Sequence, residues 1–422
     1  MAKGDYRQLN SCRICGGNFD SKSLKLVDTP LANELYKSKE ESLNAEKFPL
    51  ELVICKDCCH VQLKHIVSAK RLFSNYVYRS GTSSFFQSHF ADLAAYLKNL
   101  VPQGSLVIEI GSNDGLLLRE IERKGAVAVG IEPSEQLASL SRNLGSKVKT
   151  GFLSKSLIDE IIVEFGKASA VVGNNVFAHI DDLLSAFKLV NALLRDGGIF
   201  IFEVADFEKL VGKGLFDTIY HEHMSYHTAI GVLRLCELSD FFIETVDEIE
   251  PHGGSLRFKL RKGWREGQIS ENVRIRLEKE KELGLDTALA FDEISKTISQ
   301  KKNDLGNVLS NPKFQTKLVG YGAPAKLVTF CYQIGLTPQD LEYVIDDNEF
   351  KQDFFVPGLG YKIVPSKHIQ EYVKSTWRGL AINYLVFPWN LSSEIISKLS
   401  KWAPPGSNIV QAFPSVESRT LN

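Results

Sequence analysis

Leu106-Val107-Ile108-Glu109-Ile110-Gly111-Ser112-Asn113-Asp114-Gly115 sets the architecture of the chain. A short apolar run enters a glycine turn, and a helical stretch from Leu116 to Lys124 follows. Ala126 to Ile131 forms a second β-rich run that ends at Glu132-Pro133. Strand, glycine turn, helix, strand and acidic residue is how a doubly wound α/β domain opens. Farther on, Ala170 to Val172 leads into Asn174-Asn175-Val176-Phe177-Ala178-His179. A helix is expected from Asp181 to Leu194, then Gly197-Gly198 and a strand from Ile199 to Val204, continuing the same sheet.

The turn also selects a cofactor. A dinucleotide site lays a pyrophosphate on the loop and helix N-terminus, and uses G-x-G-x-x-G so that the backbone can approach it. That spacing is missing here, and Glu109 and Asp114 stand in its place. Carboxylates repel phosphates but suit an ammonium and a sulfonium. S-adenosylmethionine has both cations and no phosphate, so charge favours it over NAD. Glu132 lies about twenty residues past the first glycine, where such folds hold a ribose. The expected cofactor-binding set is Glu109, Gly111, Asn113, Asp114, Glu132, Phe152, Asn174 and Asn175.

On the N-terminal side, five of the seven cysteines fall within the first 60 residues. Cys12-Arg-Ile-Cys15 and Cys55-Lys-Asp-Cys58 each let a tight turn aim two thiolates at one point, and two such turns close a tetrahedron around Zn²⁺. Four thiolates leave no open position, so the expected zinc is structural. Cys59 could replace Cys58 in that set. Glu40, Glu41, Glu46 and Glu51 intersperse with the lysines, which argues against a nucleic-acid-gripping ribbon, and His60 and His65 read as surface or packing residues.

The whole chain, 422 residues, suggests about three domains. Lys plus Arg (50) nearly balance Asp plus Glu (51) for a net charge of −1, so neither a nucleic-acid nor an anionic-membrane partner is expected. No run approaches the roughly 18 apolar residues of a spanning helix. Met-Ala-Lys-Gly-Asp-Tyr-Arg has no signal-peptide core, and the odd cysteine count argues against a disulfide scaffold. A cytoplasmic location is expected, with the oligomeric state open and a monomer plausible.

Ile219-Tyr220-His221-Glu222-His223-Met224-Ser225-Tyr226-His227 packs three histidines, two tyrosines and a glutamate into one segment. It is not H-E-x-x-H, so a zincin reading fails. His223 and His227 could share a helix face, but no third metal ligand is placed. The plainer alternative is a polar helix start with exposed histidines. Acid–base chemistry explains the gathering better, with histidine as proton acceptor and tyrosine and glutamate orienting it.

Between Trp264 and Asn311 the chain is charged and helical in pattern, which suggests a solvated face linking domains. From Lys317 a second strand–turn–helix appears, Lys317-Leu-Val-Gly-Tyr-Gly-Ala323 and then Ala325 to Ile334, with further strands at Tyr343–Asp347 and Leu385–Phe387. A second Rossmann-like sheet is expected. Its turn could offer N–H groups to a diphosphate, so Tyr321, Lys326 and Lys351 are candidate substrate-binding residues.

The paired cysteines, Glu109-Ile-Gly-Ser-Asn-Asp-Gly115, Asn175-Val-Phe-Ala-His179 and Tyr220-His-Glu-His223 resemble the zinc-containing sugar C-methyltransferases that act on nucleotide-linked 4-keto-6-deoxysugars. The resemblance extends to Gly320-Tyr-Gly-Ala-Pro-Ala-Lys326, Val344-Ile-Asp-Asp-Asn348 and Pro388-Trp-Asn390, and so covers essentially the whole chain. It implies an α/β protein of three parts: a zinc-binding domain (1–75), a class I, Rossmann-like methyltransferase domain (76–264), and a linker helix with a C-terminal Rossmann-like domain (265–422) that helps hold the substrate. By that similarity His223 removes the C3 proton beside the C4 ketone, Glu222 orients or holds substrate, and Tyr220 and His179 line the reacting face. A tyrosine from the segment 75–82, Tyr78 in preference to Tyr76, would reach over from the N-terminal part. The implied substrate is a dTDP-linked sugar of deoxysugar biosynthesis. An O- or N-methyltransferase on the same fold, or a non-catalytic zinc-ribbon adaptor, are the alternatives. The intact Glu109, Gly111, Asp114 and Glu132 set disfavours the adaptor.

Overall fold

The computed structural model describes residues 6–73, 84–263, 269–311 and 316–421, so Tyr76 and Tyr78 lie outside the described residues. The deciding stretch folds as expected, with a strand at Leu106–Ile110, a helix at Leu116–Arg123 and a second strand at Val127–Glu132. Gly111 has φ +70°, and a Cβ there would come within 3.0 Å of Val176, so the turn demands glycine on two counts. Numbered by chain order, the seven strands of the central sheet lie 3-2-1-4-5-7-6. The first five are parallel, and Ser255–Lys262 runs antiparallel between Leu194–Ala205 and Phe241–Ile249. This is a doubly wound sheet with one reversed strand inserted near its edge. Leu93, Leu97, Leu117 and Ile121 cover one face, while Ile158, Ile161, Phe187 and Leu235 cover the other.

The C-terminal sheet repeats the plan. Its six strands lie 3-2-1-4-5-6, beginning with Lys317–Tyr321 at the centre, and only the last, Glu417–Thr420, is antiparallel. The Rossmann-like organisation expected from the sequence is present in both α/β units.

The N-terminal part is built from very short strands. Tyr6–Gln8 pairs with His65–Val67, and a second sheet contains Leu24–Lys25, Glu51–Ile54 and Val61–Leu63. The fourth strand of that second sheet is Ser225–Tyr226, in register with Gln62 and Val61. The histidine-rich segment is therefore stitched into the cysteine-bearing part rather than forming a helix, and His223 and His227 share no helix face. One continuous apolar core joins Phe48 of the N-terminal part, Phe216, Ile219 and Met224 of this segment, and Phe330, Phe387 and Phe413 of the C-terminal unit. The segment lies where the three parts meet.

The charged stretch departs from expectation. Helices span Glu271–Glu282 and Ala290–Ser310, but Arg276 and Glu280 are buried rather than solvated. Arg276 pairs with Asp206, Glu208, Glu248 and Glu280, and Glu280 accepts the backbone N–H groups of Ala229 and Ile230. One face of a charged helix here satisfies the start of a neighbouring helix. Among the described residues, no helix is long and apolar enough to cross a membrane.

Candidate active site

The four cysteines converge. Ligand atoms of Cys12, Cys15, Cys55 and Cys58 all lie within 4.8 Å of one another, with Cys12 Sγ 3.6 Å from Cys58 Sγ and Cys15 Sγ 3.4 Å from Cys55 Sγ. A tetrahedral Zn²⁺ with bonds of ~2.3 Å requires sulfur separations of about 3.8 Å. Backbone N–H groups of Ile14, Gly17 and Asp57 point at Cys12, Cys15 and Cys55, each at 3.4 Å, and Gln62 Nε2 donates to Cys12 Sγ at 3.2 Å. These donors favour thiolates, so the residues fit zinc. Cys59, at φ +57°, stays outside the group, which resolves the choice between adjacent cysteines in favour of Cys58.

The cofactor candidates gather at the carboxyl ends of the parallel strands, where the strand order reverses between Leu106–Ile110 and Ala168–Asn174. Glu109 is buried, and its Oε2 has no protein hydrogen-bond partner. Burial, helped by the nearby Asp114 and Glu132 carboxylates, pushes its pKa well up. An unpartnered buried carboxyl oxygen needs a donor, and the ammonium of S-adenosylmethionine is a suitable one. Glu132 accepts the N–H groups of Asn113 and Ser134, each at 2.9 Å, and so shapes the loop. Asn175 sits at φ +55°, with its N–H on Glu203 O at 2.8 Å. Phe152 follows strand Lys147–Thr150 at the same end of the sheet and is 56% exposed, leaving a ring face open to stacking.

At the junction, the His223 imidazole is held at both nitrogens. Nδ1 lies 2.8 Å from Thr218 O, and Nε2 lies 2.7 Å from the Tyr220 hydroxyl. A carbonyl oxygen only accepts, so Nδ1 carries the proton and Nε2 presents its lone pair to the tyrosine. The His179 ring stands 4.9 Å away, edge to face. Burial, with His179 next in effect, holds His223 well below the usual imidazole range, and burial lowers His179 to about 4. Both rings are neutral at pH 7.

Glu222 points the other way. Both its oxygens lie 2.8 Å from Asn33 Nδ2, and burial pushes its pKa up to about 7 despite that donor and the nearby Lys351 cation. The unfolded carboxyl titrates near 4.5, so between there and pH 7 the native state holds a proton the unfolded chain has lost. Stability from this group is full below that window and is lost as pH rises through it. Glu222→Gln is therefore expected to gain stability over wild type as pH rises from 5 to 8, by at most about 3 kcal/mol, read from urea midpoints across pH. A difference constant with pH would contradict it.

The C-terminal unit contributes Lys326, whose ammonium lies 4.2 Å over the Trp389 ring and donates to Asn390 Oδ1 at 3.0 Å. Trp389 Nε1 donates to Asp217 Oδ2 at 2.8 Å, tying this group to the residue just before Thr218. Lys351 is buried and donates to Ala323 O at 2.8 Å in the turn preceding Lys326. Tyr321 is not brought to this group. Its ring packs in a separate core with Val319 and Ile345, and its hydroxyl donates to Asp347 at 3.4 Å.

Sequence reading missed Asn33, Thr218, Asp217 and His252. His252 sits at φ +57° with its ring 5.2 Å from Phe86, and burial, then the Lys326 charge, lowers it to about 4. A titratable residue inside Pro251-His252-Gly253-Gly254 was the available signal. Three further histidines contact oxygens of neighbouring elements: His221 Nε2 reaches Pro49 O, His227 Nε2 reaches Phe177 O, and His60 Nε2 reaches Ser225 Oγ.

A doubly wound domain with an acidic, phosphate-averse turn, beside a four-thiolate site, defines a class I methyltransferase with a structural zinc centre. Three domain models agree along the chain: a zinc-binding domain over residues 12–73, a methyltransferase domain over 84–246, and a C-methyltransferase C-terminal domain over 250–414. The chain belongs to the zinc-containing, S-adenosylmethionine-dependent C-methyltransferases. It is 26% identical to C-methyltransferase NovU of Streptomyces niveus over 415 residues, which covers 97% of this chain and 96% of that one. A ubiquinone biosynthesis O-methyltransferase of Xanthomonas axonopodis pv. citri (strain 306) is 28% identical over 101 residues, covering 24% of this chain and 42% of the relative. Among solved structures, the PH0226 protein from Pyrococcus horikoshii OT3 overlaps 46% of this chain and 97% of its own, at 18% identity and TM-score 0.38.

Proposed function

We propose that this C-methyltransferase removes the C3 proton beside the C4 ketone of a nucleotide-linked 4-keto-6-deoxysugar, with dTDP as the nucleotide, and methylates the resulting enolate. The observation that carries the reading is the Thr218–His223–Tyr220 arrangement, which leaves a neutral imidazole with its Nε2 lone pair aimed at a phenol.

A hydrogen α to a ketone is too weak an acid for a neutral imidazole unless the enolate oxygen is stabilised. The Tyr220 hydroxyl is suited to that. Moving from Nε2 to the substrate oxygen, it would free the base and supply a donor worth ~3–4 kcal/mol by analogy with oxyanion holes. Burial makes His223 a poor base on its own, but an enolate beside the new imidazolium supplies the missing counter-charge. His179 would pack against the same face. When bound, S-adenosylmethionine supplies the electrophilic methyl group. The chain's contribution is to hold Glu109, Asp114 and Glu132 at the cofactor end and to position the carbanion in line. Glu222 would orient the sugar through the Asn33 contact, and Lys326 and Lys351 would offset the diphosphate charge.

Product analysis tests the reading. With S-adenosylmethionine and a dTDP-4-keto-6-deoxysugar, the added methyl should reside on carbon. Methylation found on oxygen or nitrogen, or none with any keto-sugar, would overturn it.

A further inference from the structure

Arg13 lies between two zinc-ligand cysteines, yet its guanidinium reaches both histidine-bearing segments. Its side chain is 4% exposed. Nη1 donates to Ile180 O at 3.2 Å and Asp181 O at 2.7 Å, directly after His179. Nη2 donates to Met224 O and to Ser225 Oγ at 2.8 Å, directly after His223. Nε donates to Gln62 Oε1 at 3.0 Å, so all five N–H donors are used. The same Gln62 side chain donates from Nε2 to Cys12 Sγ. Thiolate, glutamine and guanidinium thus form one chain of contacts ending on the backbones that carry His179 and His223.

We propose that Arg13 is a positioning residue that couples the four-cysteine site to the methyl-transfer site. The inference rests on reading His179 and His223 as residues of the reacting face. A buried cation needs a counter-charge. The Asp181 carboxylate is 3.8 Å from Nη1 and supplies part of it. A zinc-filled tetrathiolate carries net negative charge and supplies more. Cys12 and Cys15 fix the backbone on either side of Arg13, so filling the site also fixes where the guanidinium points. Lysine cannot substitute, since a single ammonium cannot span two backbones with a planar fork.

Hydrogen exchange read by mass spectrometry tests the coupling without relying on turnover. In Arg13→Met with about one equivalent of zinc retained, amides in peptides 176–182 and 218–227 should exchange about tenfold faster or more, while the strand 106–110 is unchanged. Zinc removal from wild type by a chelator should accelerate exchange in the same two peptides, in addition to opening residues 6–68, while the strand 106–110 stays unchanged. Arg13→Lys, which keeps the charge, should show a smaller change at the same peptides and carries the test if the methionine variant does not fold. Turnover should fall about 10²-fold in kcat with KM for S-adenosylmethionine unchanged. Unchanged exchange in both peptides, or acceleration spread evenly over the chain, would overturn the proposal. If the exchange pattern holds while wild type methylates no keto-sugar, the coupling stands and the substrate reading falls.

Discussion

His223→Asn is expected to lower kcat for methyl transfer by about 10²–10⁴-fold, the usual contribution of a positioned general base. Incubated in D₂O with the keto-sugar, the wild-type enzyme should wash deuterium into the position α to the ketone, and the variant should not. The expectation follows from the tautomer. The Thr218 carbonyl keeps the proton on Nδ1, so the nitrogen facing Tyr220 is the acceptor, and asparagine offers no basic lone pair there. S-adenosylmethionine affinity should survive, because the expected cofactor residues belong to the carboxyl edge of the central sheet. A variant that methylates normally, or a wild type that never exchanges the α proton, would rule out carbon-acid chemistry at this histidine.

Cys12→Ser combined with Cys15→Ser should reduce bound zinc from about one equivalent to a trace, as metal analysis of purified protein will show. The consequence for folding is large. Strands of two to four residues cannot hold a sheet on their own. A structural zinc contributes roughly 10–16 kcal/mol of apparent binding free energy, against a total domain stability of about 5–15 kcal/mol. Losing the metal should leave residues 6–68 open to protease and remove the partner strand of Ser225–Tyr226. Methyl transfer should then fall below detection although the central sheet persists. Full activity in a zinc-free variant would contradict this account.

The local features were legible because each is written within a few residues. Gly111 and Gly115 punctuate a strand–helix junction, and the paired cysteine spacing needs nothing beyond its own turn. Glu109 and Asp114 could be weighed by charge alone. Other features were not legible, for a common reason. Cys58 and Cys59 are equivalent in spacing, and only the φ +57° backbone of Cys59 sends one thiol inward and the other away. The run Arg274 to Glu282 looks solvated because charge predominates, yet one turn of it, Arg276 and Glu280, faces buried acids and helix N–H groups supplied by other elements.

Taken alone, the amino-acid sequence determined two doubly wound sheets, a four-thiolate knot and a cofactor turn that rejects phosphate, since spacing, periodicity and charge act over short stretches of chain. The tertiary structure decided the tautomer of His223, the attachment of Glu222 to Asn33, and the reach of Arg13 to Met224 across 211 positions. Hydrogen bonds between distant residues form only after the apolar faces have chosen their neighbours, and no local pattern encodes that choice.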